Sequence, residues 1–86
     1  MPVISSFYGI IIYLYFEDHN PPHFHVKYNE FKAIFSIETL GITKGKLPAK
    51  AHALVVEWAS LHNDELKRSW ELAKANKEFN NIEPLI

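Results

Sequence analysis

The chain has 86 residues, 48% hydrophobic and 22% charged, with nine Lys+Arg against ten Asp+Glu and no cysteine. That length holds one domain, residues 1–86, and the composition excludes intrinsic disorder. It also excludes disulfide scaffolds, thiolate metal sites and cysteine nucleophiles. The net charge of −1 argues against a dedicated nucleic-acid coat. A lone arginine, Arg68, weakens base-specific readout. A chain this short buries only about 60–65% of its unfolded surface, which favours further burial against a partner or in a homodimer.

The first strong element is Ile10–Phe16, dense in β-branched and aromatic residues. It reads as a central strand, apolar on both faces. The apolar run from Gly9 is about eight residues, far short of the roughly 18–20 that span a bilayer. No Lys or Arg precedes it, so a signal peptide is not expected and a soluble, cytoplasmic protein is. Asp18-His19-Asn20-Pro21-Pro22 ends the strand, because consecutive prolines supply no backbone donors.

His23–Tyr28 alternates cleanly, Asn29-Glu30 forms a two-residue turn, and Phe31–Ile37 returns. That turn pairs Tyr28 with Phe31, Val26 with Ala33 and Phe24 with Phe35 on an apolar face. The other face then pairs Lys27 with Lys32, His25 with Ile34 and His23 with Ser36. A one-residue slip would scramble the separation. Gly41 and Gly45 bracket a turn-rich stretch with room for a short fourth strand.

Pro48 suits a helix start. Ala51, Leu54, Val55, Trp58, Ala59 and His62 recur at helical spacing, and Leu66, Ser69, Trp70 and Ala73 continue the stripe without a phase jump. The stripe predicts one long helix over about 48–75, roughly 42 Å long. Asn63-Asp64-Glu65 resembles a helix start, which predicts a bend near His62–Asn63 or two consecutive helices. The expected fold is α+β: an antiparallel sheet of three or four strands in a β-rich segment 1–46, packed on a helical segment 47–76, with an extended arm 77–86.

The chemistry concentrates in Asp18-His19-Asn20-Pro21-Pro22-His23-Phe24-His25. His23 and His25 share one face of a strand. Two imidazoles side by side can serve as base and acid near neutral pH. Lys27 in the same row and Lys32 across from it would hold an anion and offset developing negative charge. Asp18 and His19 would orient the pair. The pattern suits metal-independent cleavage of RNA, with no cofactor.

Three other readings compete. His19, His23 and His25 with Asp18 or Glu17 could gather a transition metal, but the two lysines disfavour a cation. The row could bind an anion or an acidic partner without catalysis, since a like-charge Lys27–Lys32 pair is mildly unfavourable until something relieves it. The bland reading makes Asp18–Asn20 turn caps, the histidines a solvated face and the lysines edge-strand guards against aggregation. Trp58, Trp70, Tyr13 and Tyr15 read as packing residues. His62 falls on the apolar stripe and reads as a satisfied core histidine, and His52 is isolated.

The sequence resembles the small prokaryotic family called domain of unknown function 4160. The marks are Met1-Pro2-Val3-Ile4-Ser5, Gly9-Ile10, Asp18 to Val26, Leu47-Pro48, Glu57-Trp58-Ala59, Glu65-Leu66, Trp70 and Ile82-Glu83-Pro84-Leu85. Asn29 stands in the hairpin turn where that family often has glycine, and both tolerate positive φ. The resemblance implies a pairing with a second small family, domain of unknown function 2442, in a toxin–antitoxin-like module. This chain would be the toxin-like component, held in a cytoplasmic complex by its neighbour. It does not imply a mechanism, and a non-enzymatic interaction module remains the alternative.

Overall fold

A computed structural model describes residues 2–16 and 19–85. Five strands, β1 (Val3–Phe7), β2 (Ile10–Tyr13), β3 (His23–Tyr28), β4 (Phe31–Ser36) and β5 (Ile42–Gly45), precede two helices, α1 (Ala49–Leu61) and α2 (Asn63–Lys74). The strands form one antiparallel sheet in the order β1-β2-β3-β4-β5. The fold is α+β, as expected, with five strands rather than three or four. The unexpected strand is β1, and the stretch allowed as a fourth strand is β5.

The β3–β4 hairpin has the predicted register at all six pairs, from Tyr28–Phe31 to His23–Ser36. Asn29 takes φ 53°, the left-handed geometry a two-residue turn requires. One face of the sheet is the core: Ile10 and Ile12 of β2, Phe24 and Val26 of β3, and Ala33 and Phe35 of β4 are buried. α1 lies on it with Ala51, Val55, Trp58 and Ala59. The Trp58 ring sits 5.6 Å from Phe7 and 6.1 Å from Phe24, and His52 stacks on Phe35 at 5.4 Å. Each large side chain so buried contributes about 1.5–3 kcal/mol.

The helical stripe is buried or half-buried along its whole length, but it spans two helices. His62 at the junction has φ −118° and ψ 26°. The Asn63 side-chain amide donates to the Ile37 carbonyl at 3.0 Å, tying the junction to the end of β4. A straight helix of that length would overrun the sheet, whose molecule extends only 33 Å in its longest direction. The bend keeps α2 against the core through Leu66, Trp70 and Ala73. His62 is half-buried and shares a 2.7 Å hydrogen bond with Glu65, the satisfied histidine the stripe implies. Asn76, at φ 59°, closes the last turn in the left-handed conformation common after a helix.

The arm returns along β1. The Ile82 N–H donates to the Ile4 carbonyl at 2.7 Å, Ile82 is buried, and the Trp58 indole N–H donates to the Glu83 carbonyl at 2.8 Å.

Gly45 ends β5 at φ +82°, and a Cβ there would collide with the Lys32 carbonyl oxygen. Gly45→Ala is therefore expected to cost about 1–3 kcal/mol through strain and displacement of β4. A thermal melt should show this as a fall of roughly 5–20 °C.

Candidate functional site

The face of the sheet opposite α1 carries the polar alternates of the same strands. In β3 these are His23, His25 and Lys27, and in β4 Lys32, Ile34 and Ser36. The antiparallel register assembles them into rows. Tyr13, His25, Ile34 and Lys44 lie side by side across β2, β3, β4 and β5. Ile11, Lys27 and Lys32 form the neighbouring row. No strand contains an Asp or Glu. The only charged strand residues are Lys27, Lys32 and Lys44, all exposed and all on this face. Among the described residues, a molecule of net charge −1 thus presents a strand face whose charged side chains are all lysines.

The histidines stand at the end of this face nearest α2. Their rings are 5.1 Å apart, at 69° to one another. The His23 Nδ1 lies 2.8 Å from the Pro21 carbonyl oxygen. A carbonyl can only accept, so Nδ1 carries the proton, and in the neutral ring Nε2 holds the lone pair. The Pro-Pro turn, whose Asn20–Pro21 peptide is cis, thereby sets the tautomer of the histidine that follows it. On its other side His23 meets the buried Trp70 of α2 at 4.9 Å. The Trp70 indole N–H has no hydrogen-bond partner among the described residues.

His25 belongs to an aromatic cluster. It stacks on Tyr13 at 5.2 Å and 16°, and meets Tyr15 edge-on at 4.6 Å. Tyr13 is 5% exposed although it lies on this outer face, and Tyr15 is 42% exposed. Burial, with the neighbouring Tyr15 and a hydrogen bond to its side chain, raises the Tyr13 hydroxyl above the ordinary tyrosine range. A raised pKa for an acid favours folding fully below the unfolded value near 10, and that contribution is lost as pH rises through the folded value. An ultraviolet titration of the wild type should show a late-ionising phenol, absent from Tyr13→Phe.

His19 is exposed in the loop before β3. Asp18, expected beside it as an orienting carboxylate, and Glu17, weighed as a metal ligand, lie outside the described residues. Among the described residues no three His, Asp or Glu side chains are grouped to hold a metal ion, and no helix is long and apolar enough to cross a membrane. Spacing singles out His23, His25, Lys27 and Lys32, which the sheet brings to one face. It points to packing for Tyr13 and Tyr15 and does not reach Lys44. The two-residue spacing of the tyrosines, matched to the β2–β3 register, was the signal for the first two.

The sequence profile described as domain of unknown function 4160 matches residues 9–71, a span covering β2 to most of α2 and every residue of the rows above. The chain belongs to this family. No curated protein and no solved structure matches it. The family match spans the His23–His25 strand and the helices that support it, and leaves β1 and the arm outside.

Proposed function

We propose that the protein is the toxin-like component of a two-protein module, acting in the cytoplasm, and that its activity is metal-independent cleavage of RNA on the outer sheet face. The observation that carries the reading is the His23–His25 pair, 5.1 Å apart, beside Lys27 and Lys32 on an acid-free strand surface. In this scheme His23 Nε2 takes the proton of a ribose 2′-hydroxyl, and the oxygen attacks the adjacent phosphorus. The bond from phosphorus to the 5′-oxygen breaks as protonated His25 gives that oxygen a proton. The products are a 2′,3′-cyclic phosphate and a 5′-hydroxyl. Lys27 and Lys32 hold the non-bridging oxygens and offset their charge. His19, from the loop before β3, and Asp18 are the proposed orienting groups.

A small partner, such as a member of the second family, would neutralise the activity by binding over the lysines. A second reading, binding without cleavage, draws on the packing of His25 between Tyr13 and Tyr15. Purified protein incubated with a fluorogenic RNA oligonucleotide in excess chelator separates the two. Cleavage leaving a cyclic phosphate end is expected. Binding of the RNA with no cleavage between pH 5 and 8 would sink the enzymatic reading.

A further inference from the structure

Beside the histidine pair lies a depression of about 320 Å³ lined by Tyr13, Tyr15, His25, Lys32, Ile34 and Lys44. We infer that it is a nucleobase-stacking subsite, which takes one base of a single-stranded RNA against Tyr15 while Lys44 holds the flanking phosphate, next to the reacting phosphate assigned to Lys27 and Lys32. The inference rests on the RNA reading above and assigns a place to the nucleotide next to the one that reacts.

The chemistry of the lining selects this ligand class. Tyr15 stands nearly perpendicular to both the Tyr13 and His25 rings, at 88° and 79°. It meets both rings in T-shaped contact and is still 42% exposed, so part of a ring of fixed orientation borders the depression. Ile34 and the nearly buried Tyr13 supply an apolar floor. The two lysines come from adjacent strands, Lys44 directly opposite Ile34 and Lys32 two residues along β4 from it. Gly45 packs its backbone against Lys32, which fixes the β4–β5 rim. The volume falls in the range of small-ligand sites, about 300–1,000 Å³.

A free phosphate would use the lysines and leave the aromatic wall idle. An acidic peptide would do the same. A base with its phosphate uses both, because every base has a π-face that stacks on an aromatic side chain while lysines track the backbone. Among the described residues no Arg, Asn or Gln lines the depression, and stacking is tolerant of base identity, so little discrimination between bases is expected.

The test separates binding from cleavage with a labelled 2′-O-methyl RNA trinucleotide, which lacks the attacking hydroxyl. Fluorescence anisotropy at fixed salt should show binding by the wild type, with inorganic phosphate and adenosine as weaker competitors. Tyr15→Ala should weaken binding roughly ten-fold, and Tyr15→Phe should restore it. Lys44→Ala should weaken it a few-fold and lower the salt slope by about one. Lys67→Ala, on α2, is the control for loss of one positive charge. Equal binding by wild type and a folded Tyr15→Ala overturns the subsite. If Lys44→Ala weakens binding in that case, the depression is a phosphate site alone. Cleavage of ordinary RNA with unchanged KM in Tyr15→Ala also overturns the subsite and leaves the histidine reading standing. Tyr15-dependent binding without cleavage of ordinary RNA does the reverse.

Discussion

Replacing His23 and His25 together by alanine is expected to abolish both RNA cleavage and the growth arrest caused by induced expression. General acid–base catalysis contributes about 10²–10⁴-fold per group, so the double variant should fall to the background rate. The single variants carry the sharper information. Groups that act as a unit are not additive, so His23→Ala or His25→Ala alone should lose nearly as much as the pair.

Stability must be measured beside activity, because both rings also pack. His23 bonds Pro21 and touches Trp70, and His25 stacks on Tyr13. Losing such a contact costs about 1 kcal/mol, which lowers Tm by several degrees without unfolding the chain. His23→Gln and His25→Gln keep polar side chains of similar reach and provide folded comparisons. Full arrest by a folded double variant at matched soluble levels would remove the histidines from the mechanism and move function to binding. Arrest that vanishes while Tm changes little would leave the acid–base reading standing.

Some of this surface was open to reading from the sequence, for identifiable reasons. The β3–β4 register follows from strict alternation and a two-residue turn, so a single shift would bury Lys27 and expose Phe24. The helical stripe was legible because its apolar positions keep phase across the bend, while the bend itself depends on a long-range bond from Asn63 to Ile37. β1 was not legible. Its sequence, Val-Ile-Ser-Ser-Phe, holds two serines, and the register shifts between Val3 and Ser5, which breaks the alternation that identifies strands. Lys44 escaped for the same kind of reason. A register shift between Ile34 and Phe35 places it opposite Ile34, where counting from the hairpin does not lead. β2 ends at Tyr13 rather than Phe16, although Leu14 still donates to the Pro2 carbonyl. Beyond that end the Tyr15 ring lies across His25 and Tyr13.

Trp58→Ala is expected to leave the protein largely unfolded at 37 °C. Trp58 is fully buried, and its indole joins three parts of the molecule: α1, which carries it, the sheet through Phe7 and Phe24, and the arm through Glu83. Truncating a buried tryptophan costs about 3–5 kcal/mol. A chain of this length has roughly 4–13 kcal/mol in total, so the loss takes about a quarter or more of it, and Tm should fall by some 12 °C or more. Trp58→Phe divides the effect. It keeps most of the ring packing and removes the N–H, so the hydrogen bond to Glu83 should account for about 1 kcal/mol. Hydrogen exchange then shows where that loss is felt. The Ile82 amide, bonded to Ile4, should exchange faster in Trp58→Phe, while the β3 amides should keep their protection. Faster exchange throughout β3 in that variant would mean that the arm holds the whole sheet rather than its β1 edge. The distinction bears on the site, because β1 supports β2, and β2 carries Tyr13 to His25. A loosened edge confined to β1 should leave the histidine pair and its cleavage rate intact.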